Sequence, residues 1–310
     1  MLRVATLNVW FDEKLREART GALVSVIKAL HFEVVCLQEV VPEVAKHLMR
    51  ELPEWSSSDP GDGSSVYPYG VMTLVAPGGS PRFSFHELPT QMCRKLLVTH
   101  VSELTVASVH LESLNNHPTR VSQLRECAKV LAPFQNVLLL GDFNFDSDRN
   151  FDISAREPLE NGVLAQVIPE YVDLWLALRR EPGKTFDSTV NPFIRKPEIM
   201  RYDRVMTRLT GWNAVSIEMF GDQPVDDVVE LSNREREHLE RPPTPDRPIP
   251  GPRKNPFEFE DVPESLQQNS STSTACPLFE QRSTPPRSRP RLFLSDHFGL
   301  SVCLEQKTPS

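Results

Sequence analysis

No apolar run in this 310-residue chain approaches the roughly 18 to 20 residues that a membrane-spanning helix requires. The N-terminal residues lack a basic region followed by a long apolar stretch and a small-residue cleavage signal, so no secretory leader is expected. Cysteine is sparse: there are five, an odd number, with no Cys-x-x-Cys pair. That argues against a disulfide framework and against a structural zinc site. Cys36 and Cys303 sit inside apolar runs and are expected to be reduced core residues. Positive charge is short as well, with a formal net charge of −8. This does not exclude nucleic acid, because carboxylates gathered to bind cations are themselves acidic and the local charge decides. These absences point to an intracellular protein, in the nucleus or the cytoplasm, with no membrane partner.

What is present is an ordinary soluble composition, 39% hydrophobic and 25% charged. Runs rich in Val, Leu and Ile, bounded by Gly, Pro or polar residues, predict strands over 2–9, 33–37, 70–75, 96–101, 104–111, 137–140, 200–207 and 215–219. A helix is expected over 13–30, with Leu15, Ala18, Ala22, Val26, Ile27 and Leu30 on one face. A second is expected over 119–131, where Pro118 suits the first turn. Several strands are too apolar to face water, so the fold class is α/β (α+β), with sheets covered on their outer faces by helices.

From about 223 to 290 the texture changes. Stretches such as Arg241-Pro-Pro-Thr-Pro-Asp-Arg-Pro bury too little apolar surface to offset ordering entropy. One domain is therefore expected over 1–222 and 291–306, interrupted by a disordered Pro/Ser/Arg-rich insertion over 223–290 and ending in a short tail, 307–310. Arg282, Arg287, Arg289 and Arg291 lie beside Thr284-Pro285, with Thr244-Pro245 upstream. They belong either to a solvated linker or to a basic segment that touches DNA phosphates and is tuned by phosphorylation.

Polar residues stand where the apolar runs stop. Asn8 ends the first, Gln38-Glu39 the second, His110 the strand at 104–111, and Gly141-Asp142-Phe143-Asn144 the strand at 137–140. Asp296-His297 opens the last. Strand ends are where side chains from distant sequence converge. Glu39 and Asp296 are hard oxygen ligands of the kind Mg²⁺ or Mn²⁺ prefers. Asp142 and Asn144, two apart in extended chain, should point to one side, one acting on a water and the other on a phosphate oxygen. His297 with a buried Asp partner, Asp203 being the candidate, can stabilise negative charge or move a proton. Taken singly, each has a plainer account. Gly-Asp-x-Asn is a common turn, Glu39 can cap the next helix, His110 can be a satisfied core histidine, and Asp203 between two arginines can be an ion pair. Their joint occurrence, each at the end of an apolar strand, favours a site for in-line phosphoester hydrolysis.

In order, Leu7-Asn8-Val9, Gln38-Glu39-Val40, Gly141-Asp142-Phe143-Asn144, Arg201-Tyr202-Asp203-Arg204 and Ser295-Asp296-His297 resemble the motifs of the endonuclease/exonuclease/phosphatase superfamily. The resemblance implies a four-layer αββα sandwich of two packed mixed sheets with outer helices. It assigns Asn8, Glu39 and Asp296 to the metal shell, Asp142 to activation of the nucleophilic water and Asn144 to phosphate orientation. His297, held by Asp203, becomes the transition-state stabiliser.

Within the superfamily the chain is most similar to the magnesium-dependent tyrosyl-DNA phosphodiesterases. The segments concerned are His110-Leu-Glu-Ser113 with Arg120 and Gln123, Thr90-Gln-Met-Cys-Arg94, Tyr67-Pro-Tyr-Gly, Val172-Asp-Leu-Trp175 and Ser295-Asp-His-Phe-Gly. This implies hydrolysis of the bond between a topoisomerase II-derived tyrosyl peptide and a DNA 5′ end, by a monomer. His110 and Ser113 would then lie on the scissile phosphate, with Arg120, Tyr67, Phe186 and Trp10 toward the substrate. Three positions depart from the family. Trp10-Phe11 stands where it usually has Asp-Gly, Phe145-Asp146 where it has Leu-Arg with the arginine meeting DNA, and Phe186 where it has tryptophan. RNA ends, abasic DNA, a sphingolipid head group or an inositol phosphate are alternative substrates, although the Pro-Ala-Trp-Cys-Asp-Arg of inositol 5-phosphatases is absent. A binding protein on an inactive scaffold is a further alternative.

Overall fold

The computed structural model describes residues 1–151, 158–225 and 291–307. The insertion expected over 223–290 and its basic cluster fall almost entirely outside these residues, as does most of the expected tail. At the gap, Val225 N–H donates to Leu292 C=O at 2.7 Å, so the described chain leaves and returns at one place.

The chain forms β1 (Leu2–Asn8), α1 (Arg16–Ala29), β2 (Val34–Val40), α2 (Pro42–Glu51), β3 (Ser56–Ser57), β4 (Gly70–Val75), β5 (Arg82–Glu87), β6 (Lys95–Val101) and β7 (Leu104–His110). After these come α3 (His117–Leu131), β8 (Val137–Asp142), α4 (Val163–Val167), β9 (Val172–Asp173), α5 (Leu174–Leu178), β10 (Phe186–Asp187), β11 (Ile199–Met200), β12 (Asp203–Arg208), β13 (Trp212–Phe220) and β14 (Gly299–Gln306). Two six-stranded mixed sheets result, ordered β13-β14-β1-β2-β4-β3 and β5-β6-β7-β8-β12-β9, beside a small β10-β11 ribbon. Each sheet contains one parallel pair joined through a helix, β1 to β2 through α1 and β7 to β8 through α3.

Period-2 alternation divides the apolar residues between two cores. Val4, Val34 and Cys36 of the first sheet pack with Val106, Leu138, Leu140 and Val205 of the second, filling the space between the sheets. The intervening residues Ala107, Val109, Val137, Leu139 and Met206 point the other way, onto Leu124, Cys127 and Leu131 of α3 and Val163 and Leu164 of α4. A strand enclosed on both faces has no need of polar residues, which is why β7 and β8 are buried throughout. The sandwich of two mixed sheets with outer helices is thus the architecture expected.

Several boundaries differ from expectation for identifiable reasons. Helix α1 begins at Arg16, not at 13, because Leu15 is left-handed (φ 51°) and Asp12 Oδ1 accepts from Lys14 N–H. Leu30, expected on its buried face, is exposed, whereas Leu23 and Val24 are buried. The strand expected over 200–207 breaks at Arg201-Tyr202, where Arg201 N–H turns to Asp146 Oδ1 (2.6 Å) and Phe143 N–H takes Tyr202 C=O (2.9 Å). Cys303 is only half-buried, while Cys36 is a core residue. Strand β5 was not expected, because its Arg82, His86 and Glu87 give a half-buried edge strand little apolar signal.

Gly141 has no room for a side chain, its neighbours being β7 of its own sheet and Gln38 of the other. Its φ is +130°, and a Cβ there would lie 2.0 Å from Val109 C=O and 3.2 Å from Gln38 Nε2. Gln38, fully buried, donates to Thr6 Oγ1 within the first sheet and crosses to the second by donating to Ser108 Oγ, each at 3.1 Å. Gly141→Ala is expected to lose about 3 kcal/mol or more of unfolding free energy through strain and overlap, measured by urea denaturation; a loss below about 1 kcal/mol would show that β8 can move off the Val109 carbonyl without penalty.

Candidate active site

Strand register builds the site. Asp142, last residue of β8, is paired with His110 of parallel β7 on one side and Asp203 of antiparallel β12 on the other. Three side chains far apart in sequence therefore form one row across the end of the second sheet. In the first sheet, Asn8 is paired with Gln38 at the corresponding end. The pairing of β2 with β4 shifts between Leu37 and Val40, and Glu39 is left-handed (φ 58°), a bulge that re-aims its side chain. Glu39, Asn144 (φ 56°) and Trp10 (φ 58°) all occupy this sparsely populated region, so strain is concentrated where the strands end.

The side chains meet. Asn8 Nδ2 donates to Asp142 Oδ2 at 3.0 Å, and Asn144 N–H donates to Asp142 Oδ1 at 2.8 Å. His110 Nε2 lies 3.5 Å from Asp142 Oδ2 and 3.8 Å from Glu39 Oε1. His297 Nε2 lies 3.9 Å from Asp142 Oδ2, and its Nδ1 is 2.8 Å from Asp203 Oδ2. Asp203 is not an ion pair of its neighbours, because Arg201 and Arg204 both turn to Asp173. Gly-Asp-Phe-Asn is both a turn and part of the site: Asp142 and Asn144 are joined through a local hydrogen bond and not by extended chain.

The two histidines are held in opposite states. Arg94 Nη1 donates to His110 Nδ1 at 2.9 Å. Arginine has no acceptor, so Nδ1 must be the bare nitrogen and Nε2 carries the proton. Burial, with Arg94 and His297 nearby, holds His110 well below the ordinary histidine range and keeps it neutral. Its buried Nε2 has no hydrogen-bond partner, leaving a donor aimed between Glu39 and Asp142. Burial also opposes charge on His297, but Asp203, Asp142 and Asp296 override it and hold the imidazolium well above the ordinary value. Two groups of one type with pKa values driven apart are the arrangement that acid and base roles need.

The carboxylates carry more negative charge than the site can neutralise. Burial pushes Asp142 up to about 6, with His297 opposing and Asp203 adding to the rise. Asp296 is likewise pushed to about 6 by burial, His297 opposing and Glu39 raising it, and Glu39 is raised mainly by burial. Glu39 and Asp296 are thus two half-buried carboxylates in repulsion, a donor pair that suits a hard divalent cation. Among the described residues no group of three His, Cys, Asp or Glu side chains forms a ready metal cage, so water and substrate oxygen would complete the shell. Asn8, expected beside them, has its amide on Asp142 and its Oδ1 accepting from Trp10 N–H at 3.0 Å. It orients Asp142 and offers a cation only a remaining lone pair.

Arg120 requires a correction. It is completely buried and donates to Glu160 through Nε (2.6 Å) and Nη2 (2.8 Å), and to Glu112 and Leu114 C=O, both at 2.7 Å. Four of its five N–H groups are taken and the side chain is shut inside the protein, so it is not presented to substrate. Arg120 and Gln123 hold the loop after β7, where Glu112 accepts from Thr90 Oγ1 and Gln91 N–H. This chain of contacts sets Arg94 against His110, so the His110-Leu-Glu-Ser motif is partly a positioning device. Trp10 packs on Phe193 (5.2 Å) and on the Arg19 guanidinium (4.8 Å), so its ring serves packing first. Phe186 lies against His297 at 4.9 Å, and Ser113 Oγ accepts from Arg94 Nη2 at 2.8 Å.

Arg94 was legible only as part of a segment, without a role. With exposed Tyr67 and with Tyr69, Phe85 and Cys93 it lines a cavity of about 220 Å³ that reaches His110. Its guanidinium lies 5.3 Å from the Tyr69 ring, and its buried Nε has no partner. A larger cavity, about 450 Å³, lies between α3 and the 158–166 segment and includes none of the expected site residues.

A family model for the endonuclease/exonuclease/phosphatase family matches residues 5–297. D. rerio TDP2, solved with a single-strand DNA product, is 18% identical with a TM-score of 0.63, over 98% of this chain and 99% of that one. A truncated Caenorhabditis elegans TDP2 is 17% identical with a TM-score of 0.62, over 99% and 97%. A Bacteroides thetaiotaomicron mannosyl-6-phosphatase is 12% identical with a TM-score of 0.57, over 98% and 100%. At these identities the likeness is one of fold. No curated protein matches the chain.

In metal-free protein, histidine ¹⁵N chemical shifts are expected to show His297 charged and His110 neutral at pH 7, with Asp203→Asn lowering the His297 pKa by more than about one unit. The folded state holds the His297 proton more tightly than the unfolded chain. The stability from this pair is therefore complete below about pH 6.5 and is lost as pH rises through the raised value. Identical titration of both rings near pH 6.5 would contradict this charge arrangement.

Proposed function

Because the chain belongs to the endonuclease/exonuclease/phosphatase family, we propose that it is a divalent-metal-dependent phosphodiesterase that cleaves the 5′-phosphotyrosyl bond between a topoisomerase II-derived peptide and a DNA end, leaving a 5′-phosphate. The observation that carries this reading is the pair of imidazole donors, His110 Nε2 and His297 Nε2, that flank the Asp142 carboxylate. They face the position an attacked phosphoryl group would take. Next to them is a cavity lined by Tyr67, Tyr69 and Arg94, a surface suited to a departing aryl group.

In this mechanism Asp142, poised near neutral pH by burial, accepts a proton from the attacking water. The water oxygen bonds to phosphorus as the bond to the tyrosyl oxygen breaks. Neutral His110 donates to one phosphoryl oxygen and the His297 imidazolium to another, so both act where negative charge accumulates. Asn144 has one side-chain N–H on Leu111 C=O (3.0 Å) and a second to offer phosphate. The leaving phenolate belongs to a phenol of pKa about 10, so strong acid assistance is unnecessary. Glu39 and Asp296 would hold Mg²⁺ or Mn²⁺, which when bound polarises the phosphoryl group.

Asp146, where the family carries an arginine, does not oppose a DNA end as a free charge. It is buried, accepts from Arg201 N–H, and binds Lys184 Nζ at 3.0 Å. D. rerio TDP2 was solved with a single-strand DNA product, which favours a nucleic-acid substrate here. The mannosyl-6-phosphatase of the same fold keeps a phosphomonoester reading open. We place the protein inside the cell, as a monomer.

A 5′-phosphotyrosyl oligonucleotide assayed beside an abasic duplex, sphingomyelin and a sugar phosphate separates these readings. Turnover is expected on the first, abolished by chelator and reduced about 10²-fold or more by His297→Ala. Turnover confined to the other substrates, or full activity of Asp142→Asn, would overturn the assignment.

A further inference from the structure

The geometry points to a second anion-binding position at the mouth of the site, made by Lys14 and Arg195 and fitted to a backbone phosphate of a nucleic-acid strand. It rests on the nucleic-acid reading above but not on the tyrosyl leaving group. Lys14 lies in the loop between β1 and α1, where Trp10-Phe11 replaces the family's usual pair. Its backbone is fixed at both ends, the N–H on Asp12 Oδ1 at 2.7 Å and the C=O accepting from Arg19 Nε at 2.9 Å. Arg19, itself buried, also donates to Val9, Trp10 and Asp12 C=O at 2.6, 3.2 and 2.7 Å. One guanidinium thus shapes the whole loop.

The Lys14 ammonium rests over the Phe193 ring, 4.7 Å from its centroid, and Phe193 packs on Trp10. Arg195 follows two residues after Phe193 and is exposed. Among the described residues neither cation has an ion pair or a side-chain hydrogen bond. Most arginines near the site are otherwise engaged: Arg16 reaches Glu43, and Arg201 and Arg204 share Asp173. Burial lowers the Lys14 pKa and the Arg195 charge lowers it further, with Asp12 only partly opposing. Two cations are therefore held together with only Asp12 as a partial counter-charge, on a chain whose net charge is −8. A phosphate oxygen supplies what they lack.

Both loops are tied to the active site. Trp10 N–H is on Asn8 Oδ1, which belongs to the residue that holds Asp142. Asn191 Oδ1 accepts from Phe193 N–H at 3.0 Å, while its Nδ2 donates at 2.7 Å to the carbonyl of Ser295, beside Asp296 and His297. A strand whose end phosphoryl group lies between His110 and His297 would meet the cations along its backbone, while the buried Phe193 ring supports the Lys14 ammonium from beneath.

The test is binding of a fluorescent 5′-phosphorylated single-stranded oligonucleotide, with chelator present to prevent turnover. Lys14→Gln with Arg195→Gln is expected to weaken binding about tenfold at about 0.1 M salt and to make the log K against log salt slope shallower by about 1.4, two contacts at about 0.7 each. A control pair with the same charge change far from this loop, Lys28→Gln with Lys129→Gln, should retain the slope. In turnover, the rise in KM for an oligonucleotide ester should exceed the rise for a mononucleoside aryl ester by about tenfold. An unchanged slope, equal losses in the control pair, or no oligonucleotide binding by the wild-type protein overturns the proposal. Salt-dependent binding that the double variant weakens, together with no turnover of the phosphotyrosyl ester, would sink the preceding substrate assignment and leave this site standing.

Discussion

Everything at the site depends on one register: β7, β8 and β12 must align so that His110, Asp142 and Asp203 stand abreast. A slip of one residue on any of the three strands would turn its site residue to the opposite face. The alignment is secured by two buried faces at once, because each strand packs against the opposite sheet through one set of side chains and against α3 and α4 through the other. Gln38 adds a further constraint by bonding the first sheet to Ser108 of the second, and Gly141 by letting β8 lie against the Val109 carbonyl of β7 beside the row. The core thus determines where a carboxylate and two imidazoles meet.

Position alone would not make these groups reactive. Enclosed carboxylates raise one another's proton affinity, and His297 gains its charge from three of them. His110 is subject to the same burial but faces Arg94, so it stays neutral with a fixed tautomer. Arg94 owes its place to Glu112, which in turn is held by Gln123, while Arg120 secures the backbone of the same loop. A difference between two histidines in the site is therefore set by a buried polar network reaching back into α3.

Much of this was legible in the sequence, for a physical reason. Apolar runs ending in Asn8, Glu39, His110 and Asp142 mark strand ends, and a layered fold brings strand ends together. Burial on both faces made β7 and β8 conspicuous, whereas β5, half-exposed and charged, left no such trace. Chain order could not reveal that Arg120 is spent inside the protein, because a buried arginine and one that grips substrate look the same until their partners are known. Nor could spacing foretell the left-handed turn that joins Asp142 to Asn144, or that Asp146 faces inward onto Lys184. The pairing of Lys14 with Arg195 is likewise invisible in a sequence that separates them by 181 residues, since it depends on one loop being tied to Asn8 and the other to the Ser295 carbonyl.

The central claim is that these side chains share one phosphoryl group. A crystal structure of the protein with Mg²⁺ and a 5′-phosphorylated oligonucleotide tests it most directly. The account predicts phosphate oxygens at about 3 Å from both His110 Nε2 and His297 Nε2. A phosphate seated elsewhere, or either imidazole turned away from it, would contradict the account.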